Sequence, residues 1–278
     1  LYKQCEFLDP WLLGHSSYYT FRTRYAKMAT ANFGGRSVQI VVGYKNLEEL
    51  SEKIKPFSYR VLKEDCLDLP AYTYQKRIIQ LTPEQQKLYD QMKRMALAIQ
   101  DGETMSTATA LVQLMRLQQI TCGHFKSDTG KVTEIKNDRV NALIDVLNEA
   151  QGKVVIWAHW RNDIATIVKH VKKTFGDKSY VTYYGDTSTD DRQKAIKQIQ
   201  DPESEVRFII GTPQTGGYGI TLTEADTMVY YSNGYDLEKR TQSEARINRI
   251  GQKRKMTYVD IICEKTVDER IVKALRKK

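Results

Sequence analysis

From Asn137 onwards, the hydrophobic pattern alternates between two kinds of stretch. Apolar residues spaced three and four apart predict helices, and short continuous apolar runs predict buried strands. The predicted helices cover 140–147, 164–171, 195–199, 237–250 and the stretch from 267. The predicted strands cover 153–158, 180–184, 206–210, 227–231 and 257–262. Because helices separate the strands, this region predicts an α/β fold whose parallel sheet is covered on both faces.

The first 136 residues follow a less regular pattern. Helical spacing predicts helices near 1–14 and 47–54, and two more after Thr82, which begins a capping box with proline at the first helical position. Short strands are predicted at 38–42 and 72–81, and the polar stretch 122–136 predicts a loop. The pattern therefore divides the chain into three regions. Residues 1–70 are mostly helical, residues 71–136 form a connecting strand with helices, and residues 137–278 form the α/β region.

Charge and cysteine usage narrow the class of protein. The chain of 278 residues has 43 Lys and Arg against 34 Asp and Glu, a formal net charge of +9. Such a surplus favours a polyanionic partner, usually nucleic acid. The four cysteines lack CxxC spacing, which predicts reduced thiols and a cytoplasmic location. No apolar run approaches the ~20 residues of a membrane span, and the helical pattern at Leu1 suggests a fragment of a longer protein.

The predicted helix 237–250 carries an unusual pair of arginines. Spacings of four and three place Gln242, Arg246 and Arg249 on one face. Neither arginine has an acidic residue at the neighbouring helical offsets, so a counter-anion would have to come from elsewhere. A guanidinium fork suits phosphate or carboxylate. The alternative is that two arginines near a helix C-terminus merely complement the helix dipole.

Two loops at predicted strand ends carry residues that suit phosphate. The loop 211–219 combines glycines, which allow close backbone approach, with uncharged hydrogen-bond donors. It lacks the lysine and hydroxyl residue of a complete phosphate-binding P-loop. The loop 184–188 is followed by Arg192 one turn into the next helix, although on its own an ordinary helix cap with a solvated arginine explains it better. The aromatic and basic stretch 18–25 predicts either a nucleic-acid surface or a core seam, and we favour the core.

Other catalytic features are missing from the sequence. No strand ends in paired acids that would hold magnesium, and Asp268 and Glu269 are better explained as capping of the last helix. Cys122 and His124 form a lone pair of possible ligands, too few for a structural zinc site, so we expect no metal site. The residues therefore predict half of a phosphoryl-transfer site: arginines without a phosphate cradle or a metal.

Several motifs together resemble one family. The stretch Gln242–Gln252, ending in Arg-Ile-Gly-Gln, is similar to the last helicase motif of superfamily 2 proteins in its Swi/Snf-type form. Thr215–Thr227 resembles the preceding motif, Gly185–Thr187 the family's Gly-Ser-Thr loop, and Val154–Trp160 the first motif of the second lobe. The resemblance covers nearly the whole chain, and Tyr230–Asn233 points towards phage and bacterial relatives.

That family places one ATP between two RecA-like lobes. The resemblance implies that 137–278 is the C-terminal lobe, a RecA-like parallel sheet flanked by helices. It implies that 71–136 connects the lobes, and that 1–70 contains the end of the first lobe and a helical protrusion. ATP and Mg²⁺ would be held mainly by the first ATPase lobe of the same protein. We therefore expect this chain alone to be inactive.

The resemblance also assigns roles to individual residues. Arg246 and Arg249 would be catalytic arginine fingers, and Gln242, Gly217 and Gly219 would contact the nucleotide. Residues on three strand-end loops would contact the DNA backbone: Trp160, Arg161, Gly185, Thr187, Arg192, Thr212, Gln214 and Thr215.

The function implied is the C-terminal half of an ATP-dependent double-stranded DNA translocase or helicase, with nucleic acid as partner and no membrane. Two alternatives remain: a non-catalytic nucleic-acid-binding module, and an RNA or restriction-type helicase motor. One departure bears on the arginines, because Ala245 stands where the family usually has an acid.

Overall fold

The computed structural model describes residues 1–33, 36–61, 63–102, 107–127, 130–217 and 219–276. The chain forms two compact units, Leu1–Cys66 and Leu67–Lys278. The consecutive glycines Gly34 and Gly35 predict a turn, but they lie outside the described residues.

The first unit combines short helices with a β-hairpin. Its elements are α1 (Tyr2–Leu8), α2 (Tyr18–Tyr25), β1 (Ala26–Phe33), β2 (Arg36–Tyr44), α3 (Leu47–Ile54), a 3-10 turn (Lys55–Phe57) and α4 (Lys63–Cys66). The strand predicted at 38–42 is longer than expected and pairs with β1, which the sequence did not predict. Tyr25 and the neighbouring Phe21 pack into the small core of this unit, as expected of a core seam.

The second unit contains the predicted α/β region. Its elements are β3 (Tyr72–Ile79), α5 (Pro83–Gly102), α6 (Thr107–Thr121), β4 (His124–Lys126), β5 (Val132–Glu134), α7 (Arg139–Glu149), β6 (Lys153–Trp157), α8 (Arg161–Phe175), a 3-10 turn (Asp177–Ser179), β7 (Tyr180–Tyr183), α9 (Thr189–Gln200), β8 (Phe208–Gly211), α10 (Pro213–Gly216), β9 (Ala225–Tyr230), α11 (Leu237–Glu244), β10 (Met256–Cys263) and α12 (Val267–Arg276).

Six strands form one sheet in the order β3-β10-β9-β6-β8-β7, and every neighbouring pair is parallel. Alternate residues of β6 face opposite sides: Val154 and Ile156 pack beneath α7 and α8, whereas Val155 and Trp157 pack in a second core with Ile199 of α9. The predicted fold class, a parallel sheet between layers of helices, is confirmed.

The strand expected to connect the lobes, β3, is an edge strand of this same sheet and pairs along its whole length with β10. The capping box at Thr82 is present, because the Thr82 hydroxyl accepts the backbone N–H of Gln85 and the Gln85 side chain accepts that of Thr82. The stretch 122–136, expected to be a loop, instead contains the short antiparallel pair β4 and β5.

One expectation about a helix end was wrong, and one about a helix start was incomplete. Helix α11 ends at Glu244, not Ile250. Beyond Glu244 the regular i→i−4 bonding is lost: the N–H of Arg249 donates to the Ile247 carbonyl, and the Arg246 carbonyl accepts the N–H of Leu222 from a distant segment. Asp268 does more than begin α12, because it forms a buried ion pair with Arg139.

Candidate nucleotide and nucleic-acid sites

The loops at the carboxyl ends of β6, β7, β8 and β9 surround an open cleft of about 340 Å³. This is the edge at which parallel α/β sheets bind ligands. Its lining combines ring, hydroxyl, amide and charged side chains with exposed backbone: His159, Arg161, Tyr184, Gly185, Thr212, Pro213, Gln214, Thr215, Tyr230, Asn233, Gly234, Tyr235, Asp236, Lys239 and Arg240.

Five of the eight residues expected to contact DNA line this cleft: Arg161, Gly185, Thr212, Gln214 and Thr215. Three loops therefore bring them together from separate strands. Thr212 is also the N-cap of α10, because its hydroxyl accepts the backbone N–H of Thr215 at 3.3 Å. This bond fixes the turn that presents the Gln214 side chain to solvent.

The other three residues support the loops. The Arg192 guanidinium donates to the carbonyls of Tyr184 and Gly185, both at 3.0 Å, and the Thr187 hydroxyl accepts the backbone N–H of Tyr184. These bonds hold the turn at the end of β7. The Trp160 ring packs edge-on against His159, with 4.6 Å between ring centroids.

The cleft's exposed cations are balanced by nearby acids. Arg161, whose side chain is 72% exposed, forms an ion pair with Asp186 at 3.0 Å, which joins the loops after β6 and β7. Lys239 pairs with Asp236, the N-cap of α11, at 3.2 Å. Exposed pairs of this kind contribute little to stability and exchange readily for another anion such as phosphate.

Beneath the cleft, Arg240 joins several elements in a buried network. Its guanidinium donates to Asp260 of β10 at 2.6 Å and to the side-chain oxygen of Asn233 at 2.7 Å. It lies 3.4 Å from the centre of the Tyr230 ring, and its Nε donates to Glu244 at 2.6 Å. Arg240 is 7% exposed and Asp260 is fully buried.

The charges in this network stabilise one another. Burial alone lowers the pKa of Arg240, but Tyr230, Asp260 and Glu244 together raise it above its usual value. Burial alone raises the pKa of Asp260, yet the charge of Arg240 and the hydrogen bonds that Asp260 accepts lower it overall. Both side chains are therefore charged in the folded protein.

At helical spacing the sequence offers Arg240 two acids, Asp236 and Glu244, but it does not show Asp260, its main partner. The available signal was an acid inside an otherwise apolar strand, Met256–Cys263. A fully buried aspartate must have a charged or hydrogen-bonding partner, but the strand alone does not show which one.

The candidate nucleotide residues lie in and after α11. Arg246 follows the helix and is half-buried, and its guanidinium donates to the carbonyls of Gln242 at 2.9 Å and Ile220 at 3.2 Å. Arg249 is exposed and donates to the hydroxyl of Thr221 at 3.2 Å. We call residues 245–251 the arginine turn. Its contacts with Ile220 and Thr221 place it beside the end of the glycine-rich loop.

Two glycines of that loop were expected to contact nucleotide. At Gly217 a side chain would place Cβ 2.5 Å from the Pro213 carbonyl oxygen, so glycine is needed to close the turn after α10. Gly219 has φ +70°, which favours glycine, and open space around its Cα. Gly219 leads directly into the contacts with Arg246 and Arg249.

The arginine turn has the properties of an anion site. Within the described part of the chain, no acid forms an ion pair with Arg246 or Arg249. Burial, and then repulsion from Arg249, lower the pKa of Arg246. The Gln242 side chain donates to Glu238, while its buried oxygen Oε1 has no partner among the described residues. A phosphate group would relieve the repulsion between the arginines.

The described residues lack both a membrane-spanning helix and a cluster of metal ligands. They include no helix both long and apolar enough to cross a bilayer. Nor do they bring three or more His, Cys, Asp or Glu side chains into a group that could hold a metal ion.

Comparisons with known proteins point to one family. Residues 136–251 match the helicase conserved C-terminal domain. The chain is 27% identical over 243 residues to the SWI/SNF chromatin-remodeling complex subunit snf22 of Schizosaccharomyces pombe, covering 81% of this chain and 14% of that protein. It is 25% identical to an uncharacterized ATP-dependent helicase of Mycoplasma pneumoniae, covering 80% of this chain and 22% of that protein.

Among solved structures, the chain resembles the SWI2/SNF2 ATPase core of Sulfolobus solfataricus in complex with dsDNA. The TM-score is 0.61 at 25% identity, covering 98% of this chain and 56% of that one. The chain spans less than a quarter of the length of the Schizosaccharomyces pombe and Mycoplasma pneumoniae relatives. Eukaryotic remodelling proteins stand beside bacterial helicases among them, so the comparisons do not support a phage or bacterial branch. The chain thus carries a helicase conserved C-terminal domain at residues 136–251, and over most of its length it is similar to Swi/Snf-type ATPases, whose second lobe has this RecA-like fold.

Proposed function

We propose that this chain supplies the arginine half of an ATP site in a double-stranded DNA translocase or helicase. The observation that carries the proposal is the arginine turn, where Arg246 and Arg249 are held only by carbonyl and hydroxyl groups and face no acid in the described structure. Their positive charge is therefore available to a phosphate chain. Arg246 and Arg249 act as catalytic fingers, and Gln242, Gly217 and Gly219 lie beside the nucleotide.

The nucleotide itself needs a second set of residues. The glycine-rich loop 211–219 has no P-loop lysine, and the described residues hold no cluster of metal-ligating acids. ATP and Mg²⁺ are therefore held mainly by a first ATPase lobe of the same protein. In this proposal residues 1–70 belong to the end of that lobe and a protrusion, 71–136 connect the lobes, and the protein works in the cytoplasm.

The cleft at the strand ends is the proposed DNA surface. Its donors come from three loops, and its two exposed cations are held only by exposed acids, which phosphate can displace. Arg161, Gly185, Thr212, Gln214 and Thr215 contact the DNA backbone, while Trp160, Thr187 and Arg192 support them. The similarity to an ATPase core solved with dsDNA favours duplex DNA as the partner.

Replacement of one finger tests the proposal. In the full-length protein, Arg249→Ala should lower DNA-stimulated ATP hydrolysis by about 10³-fold or more, because an arginine finger stabilises the charge of the transferring phosphoryl group. Duplex affinity should stay near the wild-type value. Steady-state ATPase assays with and without DNA, together with a binding titration, make the measurement.

Arg254→Ala is the matched control. Arg254 is also an exposed arginine, three residues after the arginine turn, but it already pairs with Asp226 at 3.2 Å, so its loss should change turnover little. ATPase activity in Arg249→Ala close to wild type would exclude the finger role. The 278-residue chain alone should show no turnover. Comparing stimulation by duplex DNA, single strands and RNA separates the translocase from an RNA motor, and no stimulation by any of them would favour a non-catalytic module.

A further inference from the structure

Asp163 is a buried acid that the proposed function does not yet use. It lies in the first turn of α8 and is 1% exposed. Its oxygen Oδ2 accepts a hydrogen bond from the Ser232 hydroxyl at 2.5 Å. The Ser232 oxygen in turn accepts the backbone N–H of His159 at 2.7 Å. These two bonds form a relay from Asp163 through Ser232 to His159.

The relay joins two walls of the cleft. His159 belongs to the loop after β6, which leads into Arg161, and Ser232 belongs to the loop after β9, which leads into Asn233. His159, Arg161 and Asn233 all line the cleft. The Ser232 hydroxyl therefore links the two walls at their ends, beyond the backbone bond from Tyr231 to the Trp157 carbonyl that already joins β6 to the end of β9.

The direction of the relay depends on the acid. A hydroxyl has one proton to donate, and Ser232 donates it to Asp163. Its lone pairs are then free for the His159 N–H. Without an acceptor at position 163, the hydroxyl can rotate and donate elsewhere, and the bond to His159 loses its fixed geometry.

The surroundings of Asp163 do little to offset its charge. Its other oxygen, Oδ1, lies 3.4 Å from Nδ1 of the buried His124 and has no hydrogen bond among the described residues. Burial raises the pKa of Asp163 to about 7, because the bond from Ser232, the charge of Arg139 and the Trp160 backbone N–H offset the cost of burial only in part. Burial also lowers the pKa of His124 to about 4, so this histidine is neutral near pH 7. Because a poorly paired buried acid costs stability, packing alone does not account for it.

We propose that Asp163 is a positioning residue that acts through Ser232 to fix the loop 159–161 against the loop after β9 for binding of duplex DNA. The proposal rests on the proposed function, because it takes the cleft as the DNA surface. Asp163 itself touches no DNA. It sets the backbone that carries Trp160 and Arg161.

Variants of the 278-residue chain test the relay. Ser232→Ala removes the hydroxyl, and Asp163→Leu removes the acceptor. Asp163→Asn has nearly the shape of the native side chain and keeps one acceptor oxygen. Two readouts are needed: hydrogen exchange of the amides in 159–161 without DNA, and affinity for a short duplex by fluorescence anisotropy. Ser232→Ala and Asp163→Leu should speed exchange and weaken binding by about tenfold, since a buried bond is lost. Asp163→Asn should bind within about twofold of wild type.

Ser179→Ala is the matched control. Ser179 is also buried, and its hydroxyl donates to the Gly176 carbonyl just before β7, at the edge of the sheet opposite the cleft. It should leave both readouts unchanged. If Asp163→Leu does not fold, Ser232→Ala, which removes a single oxygen atom, still decides the question.

The two proposals fail in different ways. If the wild-type chain does not bind duplex DNA, the proposed function fails. If the wild-type chain binds duplex DNA and Ser232→Ala binds it equally well, the positioning role of Asp163 is overturned, whatever the exchange rates. Equal weakening by Asp163→Asn and Asp163→Leu would also contradict it, because the asparagine retains the acceptor.

Discussion

Two arginines of one segment, Arg240 and Arg246, lie in opposite environments. Arg240 is 7% exposed and contacts two carboxylates, an amide oxygen and a tyrosine ring. Arg246 follows six residues later and is held by two backbone carbonyls and no acid among the described residues. The pKa of Arg240 is raised by its partners, whereas that of Arg246 is lowered by burial and by its neighbour Arg249.

The difference separates a structural arginine from a binding one. The charge of Arg240 is neutralised within the fold, so it has little left to offer a ligand and much to lose if removed. Carbonyl groups fix the direction of Arg246 but leave its charge uncompensated. The resembling family usually has an acid at the position of Ala245. In this chain the carbonyls of Gln242 and Ile220 hold the Arg246 guanidinium in place, so an acid at position 245 is not needed to orient it.

The largest expected effect comes from removing Arg240. Arg240→Met should lower the free energy of unfolding by about 3 kcal/mol, because it leaves the fully buried Asp260 paired only with the partly exposed Arg276 at 2.8 Å. Arg246→Met, the matched change on the other side of the comparison, should cost about 1 kcal/mol, since it removes only bonds to neutral acceptors. Urea denaturation of the 278-residue chain measures both.

A double variant tests whether the buried charge of Asp260 causes the loss of stability in Arg240→Met. In Arg240→Met/Asp260→Asn no unpaired charge stays buried, so the double variant should be more stable than Arg240→Met alone. Equal losses in Arg240→Met and Arg246→Met would break the comparison, because the two arginines would then be equally structural.

The sequence carried enough information for the sheet but not for the end of α11. The strands are continuous apolar runs with a core on each face, such as Val154 to Trp157, and that pattern is local. The helix end is not. Residues 245–250 suit a helix, but the Arg246 carbonyl is taken by Leu222, a contact between distant segments. Local periodicity cannot reveal such competition.

The same limit applies to the candidate site. Spacing placed Gln242, Arg246 and Arg249 on one face of a helix that in fact ends at Glu244, whereas the absence of nearby acids predicted an uncompensated charge. It could not show that Asp260 neutralises Arg240, because the two residues lie on different elements. Nor could it distinguish Arg161, which lines the cleft, from Arg192, which supports the loop.

A smaller effect, stabilisation of the chain by a bound anion, tests whether the arginine turn is an anion site. Inorganic pyrophosphate at ten times its dissociation constant should raise the free energy of unfolding of the chain by about 1.4 kcal/mol. Arg246→Gln/Arg249→Gln should abolish this gain, because the uncompensated charges are gone. Denaturation at constant ionic strength, with and without pyrophosphate, makes the comparison.

The cleft supplies the control, because it too has exposed cations. Arg161→Gln/Lys239→Gln removes the two that pair with Asp186 and Asp236, and the gain from pyrophosphate should persist. A gain that disappears in the cleft variant and survives in the turn variant would place the anion site in the cleft instead.

The smallest expected effect concerns Glu244, which belongs to the Arg240 network and lies two residues before Arg246. Tyr74 of the edge strand donates its hydroxyl proton to Glu244 at 2.8 Å, and Glu244 also accepts from Arg240. Tyr74→Phe should lower the free energy of unfolding by about 1 kcal/mol, the usual value of one hydrogen bond. Tyr72→Phe, on the same strand and likewise in contact with the Tyr258 ring, should have almost no effect.

The same pair of variants shows whether the network and the arginine turn act independently. Glu244 lies two residues before Arg246, but Arg246 is aimed by the carbonyls of Gln242 and Ile220, which Tyr74 does not touch. The gain from pyrophosphate should therefore be equal in Tyr74→Phe and wild type. A smaller gain in Tyr74→Phe would mean that the edge strand helps to aim Arg246 through Glu244, and the two arginines would then belong to one coupled unit.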